Sequence, residues 1–135
     1  MKRLPLLLGL ALVAGSLSGC AVSSPVQVFD CVKYVEKPRE FTPYCADSGQ
    51  VFTKIKWSQW GQDSAVGTAV ARTNTCEPTC AAGKVLSTPV EIRLGKPAKV
   101  ANKSAFSSVT VVYLKHLVGH PKRETLDLII QPMGE

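Results

Sequence analysis

Beyond its first two dozen residues the chain consists of short apolar runs separated by turn-forming clusters, a pattern of strands rather than helices. Val26 to Val35 is β-branched and aromatic, and Lys37-Pro38-Arg39-Glu40 stops it, which predicts a strand and then a loop. Val51, Thr53, Ile55 and Trp57 share one face of a period-2 strand and Phe52, Lys54, Lys56 and Ser58 the other, so the first face is expected in the core. Ala65 to Thr73 is a run of small and β-branched residues with Gly67 inside it, again strand-like. Asn74 to Gly83 is dense in turn formers. After Pro89, Val90, Ile92 and Leu94 alternate with Glu91 and Arg93, the clearest strand in the sequence. Gly95 to Ser104 reads as a solvated loop. Phe106 to Lys115 and Leu126 to Ile130 read as the last strands, joined by a polar connection holding Gly119 and Pro121. Six or seven such strands with no helical period predict an all-β domain, a small antiparallel β-sandwich in preference to a small β-barrel.

The N-terminus departs from this pattern. Lys2 and Arg3 precede an apolar run from Leu4 to Val13 and a small-residue stretch ending at Gly19, the order a secretory signal requires. Leu17-Ser18-Gly19-Cys20 resembles the lipobox of bacterial lipoproteins. The resemblance implies that the Cys20 thiol carries diacylglycerol after export and that cleavage makes Cys20 the first residue of the mature protein. Two acyl chains anchor stably, whereas one binds with an association constant of only roughly 10^4 per molar. An uncleaved transmembrane helix over Leu4 to Val22 would barely reach the ~20 residues a bilayer needs and is interrupted by Gly9, Gly15 and Gly19. An ordinary cleavage site with Cys20 accidental is disfavoured by the complete four-residue match. Ala21 supplies no acidic retention signal. The expected organisation is a signal peptide over 1–19, a lipidated tether over 20–25 and one β-domain over 26–135. Removing 19 of the 135 residues leaves 116, too few for two independent cores. The expected location is the extracytoplasmic face of the cell membrane, anchored by lipid and not spanning it.

Export changes the meaning of the cysteines. With Cys20 assigned to lipid, Cys31, Cys45, Cys76 and Cys80 form an even set in a compartment where disulfides persist. Three connectivities are open, and Cys31–Cys45 with Cys76–Cys80 is favoured because each pair brackets a turn-like segment. Charge adds a second feature. The full chain carries +6; removing Lys2 and Arg3 from 16 cations leaves 14 against 10 acids, a net +4. Between Ile92 and Arg123 stand Arg93, Lys96, Lys99, Lys103, Lys115, Lys122 and Arg123 with no acid among them. A face of this kind would attract anionic headgroups or wall polymers, although a solubilising surface is the simpler reading. No nucleic-acid motif accompanies it.

Candidate chemistry is sparse. Cys76-x3-Cys80 and His116-x3-His120 have ligand types in pairs, but the gap between the pairs is long and oxidised cysteines lose the thiolates a metal needs, so no metal is expected. Glu36 with Glu40, or Glu124 with Asp127, could be drawn as acid pairs, and solvated surface is the simpler reading. No hydrolase motif or phosphate-cradling loop is present, so neither catalysis nor a cofactor is expected. Trp57 falls on the predicted core face. Trp60, beside Gly61, is the candidate contact for a ligand, with packing over one end of the sheet as the simpler alternative.

Tyr44-Cys45-Ala46-Asp47, Trp57-Ser58-Gln59-Trp60-Gly61, Ala65 to Ala69, Asn74-x-Cys76-x-Pro78-x-Cys80-Ala81-Ala82-Gly83, Pro89-Val90 and Val109-x-Val111-x-Tyr113 together resemble a group of small secreted or lipid-anchored actinobacterial proteins. The resemblance covers about Cys31 to Tyr113. It implies a Gram-positive or mycolate-type envelope and makes the two tryptophans and the Cys76–Cys80 turn shared features. It brings no catalytic residues. The expected function is a non-catalytic binding or structural module of the envelope, with an anionic polymer or envelope protein as partner; the alternative is a small envelope enzyme or metal-binding module.

Overall fold

The computed structural model describes residues 15, 19–20, 22–46 and 49–132. Most of the signal sequence, with Leu17 and Ser18 of the lipobox, lies outside the described residues, and so does the transmembrane alternative. Seven strands follow in order: β1 (Val28–Phe29), β2 (Tyr34–Val35), β3 (Gln50–Trp60), β4 (Ala65–Asn74), β5 (Val85–Val100), β6 (Lys103–Tyr113) and β7 (Arg123–Asp127). The last five form one antiparallel sheet in sequence order, and β1 and β2 form a separate hairpin. Because β3 and β7 are not paired with each other, the sheet is open. The domain is therefore a small all-β sandwich and not a closed barrel.

The second layer is the N-terminal segment. Gln27 bonds β6 along its free edge, its amide donating to the Ser104 carbonyl at 2.9 Å and its carbonyl accepting from the Phe106 amide at 2.9 Å. At the other side Phe41 exchanges two backbone bonds with Phe52 of β3, and the Ile55 amide donates to the Arg39 carbonyl at 3.0 Å. Residues 27–41 thus run from the stretch of β6 that β7 leaves uncovered to the outer edge of β3, and both gain partners where they would otherwise be open to another chain. Val26, Val28 and Phe41 of this layer pack into a core with Phe52, Ile55, Ala69, Ala71, Val90, Ile92, Leu94, Phe106, Val109 and Val111, all buried.

Three expectations need correction. Val26 to Val35 is not one strand: the chain reverses at Cys31 (φ 76°), where Asp30 Oδ1 accepts from the Val32 and Lys33 amides at 3.0 and 2.8 Å, an Asx turn that makes a hairpin. Gly95 to Ser104 is not a loop, because β5 and β6 pair as far as Val100 with Lys103 and turn only at Ala101-Asn102. The last strand begins at Arg123 and ends at Asp127; after Leu128, whose amide still donates to the Ser107 carbonyl at 2.9 Å, the chain leaves the sheet, and the Ile130 carbonyl accepts from the Tyr34 hydroxyl at 2.8 Å.

In β3 the core face also differs from the simple alternation. Phe52 is fully buried, and Val51 and Thr53 are only partly so. Two register shifts cause this. Thr53 to Lys56 spans three residues against two on β4, and Trp57 to Gln59 spans two against one. Each bulge adds one residue and inverts the phase, so Phe52, Ile55, Trp57 and Trp60 all reach the core. Gly67 pairs with Trp57 at the second bulge. A Cβ there would lie 2.7 Å from the Lys56 carbonyl oxygen and 3.1 Å from the Trp57 ring, so only glycine fits.

Candidate functional site

Both disulfides, Cys31–Cys45 and Cys76–Cys80, are formed. The first ties the N-terminal layer to the segment leading into β3, and the second closes the β4–β5 turn. With Cys76 and Cys80 joined, the paired thiolates of a zinc site are gone, and the described residues contain no cluster of three or more His, Cys, Asp or Glu that could hold a metal. Cys20 is the free cysteine among the described residues, and it is exposed.

Trp60 packs at the end of the sheet where the chain enters the domain. Its Nε1 donates to the Val26 carbonyl at 3.0 Å, and its ring meets Trp57 and Phe106 edge-on at centroid separations of 4.8 and 5.6 Å. Trp57 Nε1 donates to the Pro38 carbonyl at 2.8 Å. Both indoles are thus half-buried, with their single donors used within the fold.

The opposite end of the same sheet holds a polar cluster. Gln50, Thr73 and Tyr113 are buried on the core face of β3, β4 and β6, and Glu124 of β7 lies opposite Val111. His120 is brought to them by the β6–β7 connection. The Tyr113 amide donates to the Lys122 carbonyl at 2.9 Å and closes that loop, Leu117 plugs into the core, and a tight turn returns through Gly119 (φ 83°), with the His120 amide donating to the Leu117 carbonyl at 3.1 Å. The left-handed turn position is one glycine adopts without strain.

The cluster bonds internally. Gln50 Nε2 donates to Thr73 Oγ1 at 3.3 Å and to the Tyr113 hydroxyl at 2.7 Å, and that hydroxyl donates to Glu124 Oε1 at 2.5 Å. His120 Nδ1 lies 2.9 Å from the same carboxylate oxygen and 3.3 Å from the phenol oxygen. Because a carboxylate only accepts, Nδ1 is the protonated nitrogen, which leaves Nε2 as the ring's open position. Burial, and then the bond to Glu124, push the Tyr113 phenol well above its ordinary value against a smaller opposing effect from Gln50, so it stays a neutral donor. A cavity of about 240 Å³ lined by Gln50, Thr73, Cys76, His120, Glu124 and Leu126 opens on one side of the cluster. A second, of about 280 Å³, lies under the β6–β7 connection and is lined by Tyr113, Lys115, His116, His120 and Lys122.

Glu124 is therefore not solvated surface but the acceptor at the centre of a half-buried network. Asp127, three residues on in β7, is exposed and falls on the other face, so the two do not form an acid pair. Glu36 and Glu40 are exposed, and Glu36 lies 4.0 Å from Lys37. Sequence patterning missed the cluster because its members come from four strands and a loop, with Gln50 and Tyr113 standing 63 positions apart. The basic residues do not form one face. Lys96, Lys99 and Lys103 belong to the β5–β6 hairpin, Lys115, Lys122 and Arg123 to the opposite end of the sheet, and Arg93 pairs with Thr110 between them.

Compared with known protein families, curated proteins and solved structures, the chain matches none.

Proposed function

We propose that this chain is a lipid-anchored protein of the cell envelope whose β-domain is a non-catalytic module that presents its Tyr113–His120–Glu124 end to an envelope partner. The observation that carries the reading is an arrangement of ends. Exposed Cys20, within the lipobox, is followed by exposed residues 22–25, and the fold begins at buried Val26 beside the Ala105 end of β6. Tyr113 lies eight residues further along β6, about 27 Å at ~3.4 Å per residue. A tether of about five residues then keeps the domain next to the bilayer with the polar cluster directed away from it.

The cluster's chemistry supports binding over catalysis. Tyr113 is held neutral, Gln50 and Thr73 bond to each other, and the Glu124 oxygen already takes two donors, which is a rigid scaffold rather than an activated nucleophile and base. The exposed Lys115 and Lys122 beside the His120 loop make this side suited to an anionic partner, whether polymer or protein. Kinship with the small secreted or lipid-anchored actinobacterial proteins belongs to the same proposal and rests on the motif resemblance in the sequence.

Fractionation of cells producing the wild-type chain and Cys20→Ala tests the anchoring. The wild type is expected in the membrane fraction, and the variant in the unprocessed precursor or the released pool. Unchanged partitioning of Cys20→Ala would sink the reading. The alternative, a metal-binding module, predicts stoichiometric zinc with reduced Cys76 and Cys80 in protein purified without reductant. The proposal predicts no zinc and no free thiol, since four cysteines are paired and the Cys20 sulfur carries the lipid.

A further inference from the structure

The basic residues that look continuous in the sequence are divided by the fold, and one group stands where the tether enters. Gln27 is held by the carbonyl of Ser104, and Ser104 pairs with Lys99 and directly follows Lys103. The β5–β6 hairpin carrying Lys96, Lys99 and Lys103 is therefore the neighbour of the tether's root. All three lysines are exposed, and none is in an ion pair among the described residues; Lys103 lies over the Tyr34 ring at 5.5 Å. The adjacent β3–β4 turn contributes Asp63, and Gln62 of that turn donates to the Ser24 carbonyl at 3.5 Å, so this end remains net positive.

From Gln27 back to Cys20 is seven residues, at most about 25 Å of extended chain. If lipid holds Cys20, the hairpin stays within about 25 Å of the headgroups. Attraction between exposed charges and a membrane surface decays within a Debye length of ~8 Å at physiological salt. Cations at the hairpin fall inside that range when the domain rests on its tether end. Lys115, Lys122 and Arg123, at the far end of β6 and β7, fall outside it.

We infer that the β5–β6 hairpin, through Lys96, Lys99 and Lys103, is a second contact of this protein with the membrane, made to anionic phospholipid headgroups. The inference rests on the lipid-anchor reading above and adds to it a fixed orientation. The acyl chains hold one point, the hairpin supplies another beside it, and the His120 end faces outward. Headgroup phosphates are the partner that the tether's length favours, because they are the anions within reach of all three ammonium groups while Cys20 is held.

The test uses the lipidated protein extracted from its membrane and reconstituted into vesicles of phosphatidylglycerol with phosphatidylcholine, or of phosphatidylcholine alone. Amine acylation followed residue by residue by mass spectrometry reads the exposure of each lysine. The expected result is a several-fold slower modification of Lys96, Lys99 and Lys103 in the anionic vesicles, abolished by about 1 M salt, where the Debye length falls to ~3 Å. Lys115 and Lys122 should react equally in both. Equal rates at the hairpin in the two vesicle types, or equal protection of Lys115 and Lys122, overturn the inference. So does an equal slowing in neutral vesicles when polyphosphate is added outside, which would make a soluble polymer the partner. Failure of the anchor reading is seen separately: the protein would not float with either vesicle and Cys20 would carry no diacylglycerol mass.

Discussion

At the scale of single residues, the Tyr113 hydroxyl ties together Gln50 of β3, His120 of the β6–β7 connection and Glu124 of β7. Tyr113→Phe leaves Glu124 with one donor fewer and Gln50 Nε2 with only the longer bond to Thr73, and the expected loss is about 1–3 kcal/mol, read by denaturant unfolding. The phenol also sets a pH dependence. Its pKa is raised in the folded state, so the folded protein holds this proton more tightly than the unfolded chain. The stabilisation is fully present below the ordinary phenol value of ~10 and is lost as pH rises above it, by at most about 1.4 kcal/mol per pH unit. Wild-type stability should fall steeply in that alkaline range and Tyr113→Phe less steeply; parallel curves for the two proteins would contradict this. Gly67→Ala should cost about 1–3 kcal/mol, because the added methyl meets a backbone oxygen that cannot move freely. Neither residue announces its role in the sequence. Tyr113 reads as one more aromatic in a strand, and its partners are distant along the chain.

Strand positions were legible wherever one face is buried and the other wet, as at Val90, Ile92 and Leu94, all in the core. The phase of β3 was not, because a bulge depends on the register with β4 and no residue type in Thr53-Lys54-Ile55 marks it. The β5–β6 hairpin was hidden for a different reason. Its tip extends past the core, so its lysines stay exposed and the stretch looks like a loop although it is paired throughout. The disulfides were legible from an even count and from what each pair brackets. Their contributions should differ. Cys31–Cys45 closes a loop of about 15 residues, for which the chain-entropy model gives on the order of 3 kcal/mol, and Cys76–Cys80 closes a much shorter one. Cys31→Ser with Cys45→Ser should therefore lower the melting temperature more than Cys76→Ser with Cys80→Ser. The reverse order would mean that native-state packing, not loop closure, governs their effect.

For the whole molecule, the open sheet with one covered face gives the domain two distinct ends. One receives the chain at Val26 under Trp60, and the other carries the Tyr113 cluster and the His116–His120 loop. The proposed function depends on this polarity, since a lipid at Cys20 would direct one end to the bilayer and leave the other for a partner. The most direct measurement is the mass of the N-terminal peptide of the protein extracted from its native membrane. The account predicts that this peptide begins at Cys20 and carries diacylglycerol on the thiol. A peptide beginning at Met1, or an unmodified Cys20 in protein recovered from the soluble fraction, would contradict it.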